Sequence, residues 1–291
     1  MKILITGGAG FIAKSLFDEL NQLYDVILCS RTDLDLLEPQ AVFEYIKRFQ
    51  FDVVIHAATY DAAPTCSIKN PSKVLENNLK MFFNIVRCQN YFGRLIYFGS
   101  GAEYDRNYWV PKMKESYFDR HIPTDQYGFS KYIMTKYMQH SKNIYNLRLF
   151  GVFGKYDDWR YRFIPNACCR ALLGRPIVIR QNKMFDFMYI DDLVEIVKWI
   201  ILAQPIENIY NVCSGRALEL KAIAKTIVEV SGKQSEIICL ESQLASEYSG
   251  DNALLLSELK DFRFYGIEQA IQNLYDWYAS NVSLICEDQL C

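Results

Sequence analysis

Four apolar runs in the first hundred residues, KILIT (2–6), DVILCS (25–30), DVVIHAA (52–58) and RLIYFGS (94–100), alternate with helical patterns near 10–22, 39–49 and 71–91. Runs of this kind, without polar alternation, suit strands covered on both faces. Pro39 and Pro71 fall where a first helical turn accepts proline. Strand–helix alternation closes through right-handed crossovers, so the N-terminal half is expected to build a doubly wound parallel sheet. A helix over 124–141 and the strand NIYNLRLF continue the series.

After Gly154 the pattern loosens. A helix, FIPNACCRALLG, precedes a PIVI strand, and FDFMYIDDLVEIVKWIILA reads as strand, turn and helix. Two more helical stretches, 217–231 and 266–279, close the chain, with no low-complexity linker and no repeat. A nucleotide-binding domain is expected over 1–151, with 185–211 returning to it. Residues 152–184 and 212–291 are expected to form a smaller C-terminal substrate-binding lobe.

The chain has 291 residues, a formal net charge of −2 and no basic run, which points away from nucleic acid and anionic membranes. No apolar run reaches membrane-spanning length. The N-terminus is too glycine-rich for a secretion signal and lacks a small-x-small cleavage site, so a cytoplasmic protein is expected. Nine cysteines without C-x-x-C spacing read as reduced thiols. His56, His121 and His140 show no metal-ligand spacing, and no metal is expected.

The segment TGGAGFIA (6–13) follows the first strand and opens the first helix. Gly7 permits a tight turn, and Gly10 lets backbone approach a pyrophosphate at the helix N-terminus. Ala13 is small enough for close helix–strand packing. The spacing G-x-x-G-x-x-A after Thr6 resembles the extended short-chain dehydrogenase/reductase family, the nucleotide-sugar epimerase, dehydratase and reductase group. The resemblance continues in order through HAA (56–58), NPSKVLENNL (70–79), FGSGAEY, YGFSK, LRLFGVFG, FMYIDDL, LSELKDF and YDWY. It implies a Rossmann-type α/β fold, an NAD(P) cofactor and a nucleotide-sugar substrate. Thr6, Gly7, Gly10, Phe11, Ile12, His56, Ala57 and Ala58 would then contact the cofactor. Asn78 would lie near it or stand on a helix surface.

An NAD-preferring site places a carboxylate at the end of the second strand to bind the ribose hydroxyls. Here Ser30 stands at that position and Arg31 follows. Arg31 either pairs with the 2′-phosphate of NADP through charge-assisted bonds or is solvated in a loop. NADP is the expected cofactor and NAD the alternative. Resemblance to the family's 4-keto-sugar reductases puts Asp35 and Leu36 beside the adenine.

Reduction of a ketone needs a proton donor at the developing alkoxide. A tyrosine serves if a nearby lysine lowers its pKa, and four residues on a helix place the two on one face. Three such pairs occur: Tyr108/Lys112, Tyr127/Lys131 and Tyr132/Lys136. Pro111 interrupts the first. The third is turned roughly 140° around the helix from the second. The family resemblance selects Tyr127 and Lys131, with Ser100 at the strand end as partner, and gives Lys131 a second contact with the nicotinamide ribose.

Family dehydratases carry an Asp–Glu pair directly after this serine. Gly101 and Ala102 stand there, with Glu103 only afterwards. The family's epimerising reductases use a cysteine where Ala102 stands. Both absences leave simple redox chemistry at C4 of a keto-sugar, with an NAD-dependent 4-epimerase as the alternative and a non-catalytic NADP-binding regulator as a contrasting class. Ser100, Gly101 and Ala102 would line the sugar site. Gly151 replaces a family asparagine and Phe185 a family arginine that contact the substrate diphosphate, so Arg160, Arg162 or Arg180 is expected to substitute. Tyr156, Trp159, Tyr161 and Phe163 either stack on a base or sugar or cover a packed lobe. The family also implies a homodimer through the helices at 71–91 and 124–141.

Overall fold

The four N-terminal apolar runs all become strands, with ends within about two residues of their expected positions. The computed structural model describes residues 1–61 and 69–290. In chain order its elements are β1 (Lys2–Thr6), α1 (Phe11–Leu20), β2 (Asp25–Cys29), α2 (Pro39–Phe49), β3 (Phe51–His56), α3 (Val74–Val86), β4 (Phe92–Ser100), α4 (Gln126–Met138), β5 (Ile144–Leu149), β6 (Gly151–Phe153), α5 (Phe163–Leu172), β7 (Ile177–Tyr189), α6 (Ile190–Leu202), β8 (Ile209–Val212), β9 (Ala217–Glu219), α7 (Leu220–Ser231), β10 (Ile237–Tyr248), α8 (Ala253–Glu258) and α9 (Ile267–Ser280). They group into two compact units. One holds Met1–Tyr108, Lys114–Leu149 and Ile196–Val212; the other holds Trp109–Met113, Phe150–Glu195 and Cys213–Cys291.

The first unit carries a wholly parallel six-stranded sheet in the order β2-β1-β3-β4-β5-β8. The chain leaves β1 for β2 on one side and returns to β3 on the other, so the order reverses between β1 and β3. In doubly wound sheets the ligand crevice opens at that reversal, outside the carboxyl ends of the strands. Leu4, Val54, Leu95 and Tyr97 pack with Val42 and Ile46 of α2, Phe82 of α3 and Met134 of α4 into one apolar core. All six residues of β5 are buried, Asn146 and Arg148 included. Polar groups at such depth require partners; Asn146 Nδ2 and Arg148 Nε and Nη1 find them below the end of β4, whereas Asn146 Oδ1 and Arg148 Nη2 have none among the described residues.

In the second unit β6, β7 and β10 run parallel, and β9 pairs antiparallel with β7 at Met184–Asp186. The expected PIVI strand runs on without a break through FDFMY, and α6 starts directly after it at Ile190. Pairing with β10, β9 and β6 along its length joins the two strands into one, and the turn expected before the helix is replaced by the first turn of α6. β10 was not anticipated; Glu241, Gln243 and Glu247 break its apolar pattern and its register shifts twice. Among the described residues no helix is long and apolar enough to cross a membrane. No group of three metal-ligating side chains is found among them either. Seven cysteines are free thiols; Cys66 and Cys291 lie outside the described residues.

Candidate active site

At the exit of β1, Gly7 has φ +76°, and a Cβ there would lie 2.7 Å from the Ala58 nitrogen. Only glycine adopts that backbone at no cost, and its bare α-carbon lets the ends of β1 and β3 meet where the strand order reverses. Thr6 and His56, the last residues of those strands, are joined by a 2.9 Å bond between Oγ1 and Nδ1. The Ala58 amide donates to the same hydroxyl at 3.4 Å. Burial, reinforced by the Lys131 charge, lowers the His56 pKa to about 3. The imidazole is therefore neutral and acts as a strut between strands.

Gly10 is the N-cap of α1, in extended backbone and without a side-chain cap. A Cβ at Gly10 would meet only the Gly7 carbonyl, at 3.1 Å. The first-turn amides of α1, with Phe11 and Ile12 leading, have no intrahelical acceptor, and the helix dipole favours an anion there. Ala13 is buried. An uncapped ten-residue helix behind a glycine cradle fits the diphosphate of a dinucleotide.

The end of β2 carries a carboxylate of its own, three residues after Ser30. Asp33 accepts from the Ser30 amide at 2.8 Å and from its hydroxyl at 2.6 Å. Those bonds hold the Asp33 pKa below the usual carboxylate range. Its carboxylate is thus occupied by its own chain. Arg31 has its side chain 74% exposed and meets Asp35 at 3.1 Å. Asp35 also accepts from the Leu37 amide. Leu36 is turned into the core, and its carbonyl accepts from Asn84.

Asn78 is buried on α3 rather than placed on a helix surface. Its amide clamps the segment after β3, accepting from the Tyr60 nitrogen at 2.8 Å and donating to the Tyr60 carbonyl at 2.9 Å.

Helix α4 is capped by Asp125, whose side chain accepts from the Gly128 amide at 2.9 Å. Gly128, inside YGFSK, is the residue that brings this helix close. A Cβ there would lie 2.6 Å from the Ala102 carbonyl, in the turn that follows Ser100. Tyr127 is half-buried beside that contact. Lys131 is 4% exposed, and its Nζ donates to the Phe98 carbonyl at 2.8 Å. The same Nζ lies 4.5 Å from the Tyr97 ring centroid and 5.6 Å from that of Tyr127. Burial lowers the Lys131 pKa to about 8, against the opposing pull of Glu103 and Asp61.

The rival pairs are differently engaged. Tyr132 and Lys136 both bond Asp119. Burial, with help from Asp119, raises Tyr132 to about 12, the wrong direction for a proton donor. Tyr108 closes a short 3₁₀ turn and stacks on His121 at 3.7 Å, whereas Lys112 has φ +54°. Those two share no helix.

Ser100 caps a 3₁₀ turn over Gly101–Glu103, its Oγ accepting from the Ala102 amide at 3.1 Å. That bond takes a lone pair and leaves the hydroxyl proton for another acceptor. Gly101, Ala102 and Glu103 are all buried. Glu103 accepts from the Ser100 amide at 3.0 Å and from Arg148 Nε at 2.7 Å. Arg148 also donates to Tyr104 at 2.6 Å. Asn146 reaches Glu103 and Thr135.

In the second unit, the two departures from the family pattern are physically one. A Cβ on Gly151 would stand 2.5 Å from Phe185 Cε1 and 2.6 Å from the Asp186 carbonyl. The Phe185 ring thus occupies the space of a side chain at position 151, and it stacks on Phe187 at 4.3 Å. Phe185, Phe187 and Tyr189 line a cavity of about 180 Å³, with Ser214 and Arg216 also on its wall. Arg160 is paired with Asp158, and Arg180 projects from β7 near Glu241 at 3.5 Å. Tyr156 meets Trp277 edge-on and Phe163 stacks against Phe187, so these two rings pack within the unit.

Residues 3–213 match the model of the NAD dependent epimerase/dehydratase family. The GDP-L-colitose synthase of Yersinia pseudotuberculosis is 22% identical, covering 82% of this chain and 84% of its own. A GDP-mannoheptose C4 reductase from Campylobacter jejuni, solved with NADP bound, superposes with TM-score 0.83 at 19% identity over 96% of this chain and 98% of its own. The UDP-glucose 4-epimerase of Thermotoga maritima, solved with UDP-glucose, gives 0.82 at 19% identity over 97% and 100%. At such identities these structures speak for the fold.

Proposed function

The chain belongs to the NAD-dependent epimerase/dehydratase family and is an NAD(P)-dependent oxidoreductase of the short-chain type; on that footing we propose that it reduces a nucleotide-activated 4-keto-6-deoxy-sugar with NADPH. The observation that carries this reading is the turn after Ser100. Gly101 and Ala102 offer no functional group, and Glu103 is fully buried against Arg148. This turn therefore supplies no second acid or base of the kind that dehydration or carbon epimerisation requires. At the end of β2, Asp33 is drawn onto Ser30 while Arg31 stays exposed, which supports NADP over NAD.

When bound, the nicotinamide supplies the hydride. Gly7, Gly10, Phe11 and Ile12 would hold the diphosphate, and Arg31 the 2′-phosphate. Tyr127 would hand its phenolic proton to the developing alkoxide, Lys131 keeping a positive charge beside the ring, and Ser100 would donate to the same oxygen. Lys131 loses its proton as pH rises through about 8, so activity would fall on that side. The second unit, with its aromatic cavity, would read the nucleotide sugar.

The test is a screen of NDP-4-keto-6-deoxy-sugars for NADPH consumption. One of them should be turned over stoichiometrically, with NADH poorer by roughly tenfold or more, the worth of a single charge-assisted contact. Purified protein that carries NAD(H) and interconverts an NDP-hexose without added cofactor is instead a 4-epimerase, and the proposal fails.

A homodimer is part of the reading. α3 and α4 pack together and present Phe83 and Tyr137, edge-to-face at 5.5 Å and each more than a third exposed. Light scattering should give twice the chain mass, falling to one chain in Phe83→Glu; a single-chain mass for the unaltered protein removes this part.

A further inference from the structure

We propose that Glu103 is a positioning residue of this site, whose carboxylate fixes the Ser100 turn and serves as counter-charge to Lys131. Two consecutive backbone groups flank Gly99 at the end of β4. The Phe98 carbonyl accepts from Lys131 at 2.8 Å, and the Ser100 amide donates to Glu103 at 3.0 Å. A Cβ on Gly99 would lie 2.2 Å from Glu103 Oε1 and 2.2 Å from Asn146 Oδ1, so glycine is what admits the carboxylate to this depth. Glu103 is 0% exposed, and its other oxygen is held by Arg148. A carboxylate so buried and so fully engaged cannot exchange protons with substrate. It acts through Ser100 and Lys131.

Among the described residues the charged and titratable groups facing Lys131 are few. Glu103 and Asp61 favour its ammonium form, in that order, against burial. His56 is neutral, and Tyr97 and Tyr127 present their rings. Removing the Glu103 charge leaves Asp61 as the nearby anion, and the lysine should then deprotonate at lower pH.

Glu103→Gln keeps an acceptor for the Ser100 amide and removes the charge. The titration of Lys131 is followed by NMR in protein labelled with [13Cε]lysine, its signal identified by loss in Lys131→Met. The midpoint should move down by roughly one pH unit or more, the size of a nearby-charge effect. The alkaline limb of kcat/KM should move with it. If Glu103→Gln does not fold, Glu103→Gln/Arg148→Met removes both buried charges together and should shift the midpoint in the same direction by a smaller amount, because a positive charge is lost with the negative one. An unchanged Lys131 midpoint in the variant that folds overturns the proposal and leaves Glu103 a structural residue. The proposal rests on the functional reading above only for the kcat/KM limb. The NMR titration needs no substrate, so failure of the substrate assignment remains distinguishable from failure of this one.

Discussion

Tyr127→Phe should lower kcat by about 10²–10⁴-fold, the usual worth of a positioned proton donor, or about 3–5 kcal/mol of barrier. The ring stays, so its packing beside Lys131 at 5.6 Å and the close approach of Gly128 to Ala102 are undisturbed. Only the hydroxyl goes. NADP affinity, which depends on the glycine cradle and Lys131, should stay within about twofold. Turnover is measured as NADPH consumption, and affinity as quenching of protein fluorescence on titration. The matched control is Tyr132→Phe, on the same helix with the same lysine spacing. Its hydroxyl already bonds Asp119 and its pKa is raised, so kcat should stay near that of the unaltered protein. Retention of activity within threefold in Tyr127→Phe would mean that another group delivers the proton.

What could be read in the sequence was whatever has a local cause. Gly7 and Gly10 are legible because a turn, a helix start and an anion site all fall within eight residues. The Tyr127/Lys131 spacing is legible for the same reason, although only the fold shows Tyr132 and Lys136 turned to Asp119. Gly99 and Gly128 are illegible because their reasons lie in other segments: Glu103 with Asn146 in one case, Ala102 in the other. Glu103 itself read as an acid one step out of place. Its partner Arg148 is forty-five residues away, and nothing in either local sequence announces the pairing. Gly151 and Phe185 read as two separate losses of substrate contacts, yet their side-chain space is shared. β10 escaped because a strand whose pattern is broken by polar residues lacks the continuous apolar run that exposed β1, β3 and β4.

Arg148→Met should cost about 3–5 kcal/mol of stability, the usual effect of stripping one partner from a buried ion pair. Arg148 and Glu103 are each 0% exposed, so water cannot replace the lost guanidinium. Tyr104 and Asn211 lose a donor at the same time. The loss is read as a lower urea midpoint at unchanged m-value. Trp199, the one tryptophan in the first unit, reports that unit when the other three are replaced by phenylalanine. Glu103→Gln/Arg148→Met removes both charges and should recover most of the loss, because a neutral buried pair carries no uncompensated ion. Catalysis separates from stability here. The double variant should regain its midpoint, yet Lys131 has lost its larger counter-charge, and its ammonium form should still give way at lower pH. A double variant no more stable than Arg148→Met would show that the guanidinium contributes packing and hydrogen bonds to Tyr104 and Asn211 rather than charge. Recovery of stability would leave function as the reason for burying an ion pair beneath this strand end: a fixed negative charge placed where a buried lysine must remain cationic.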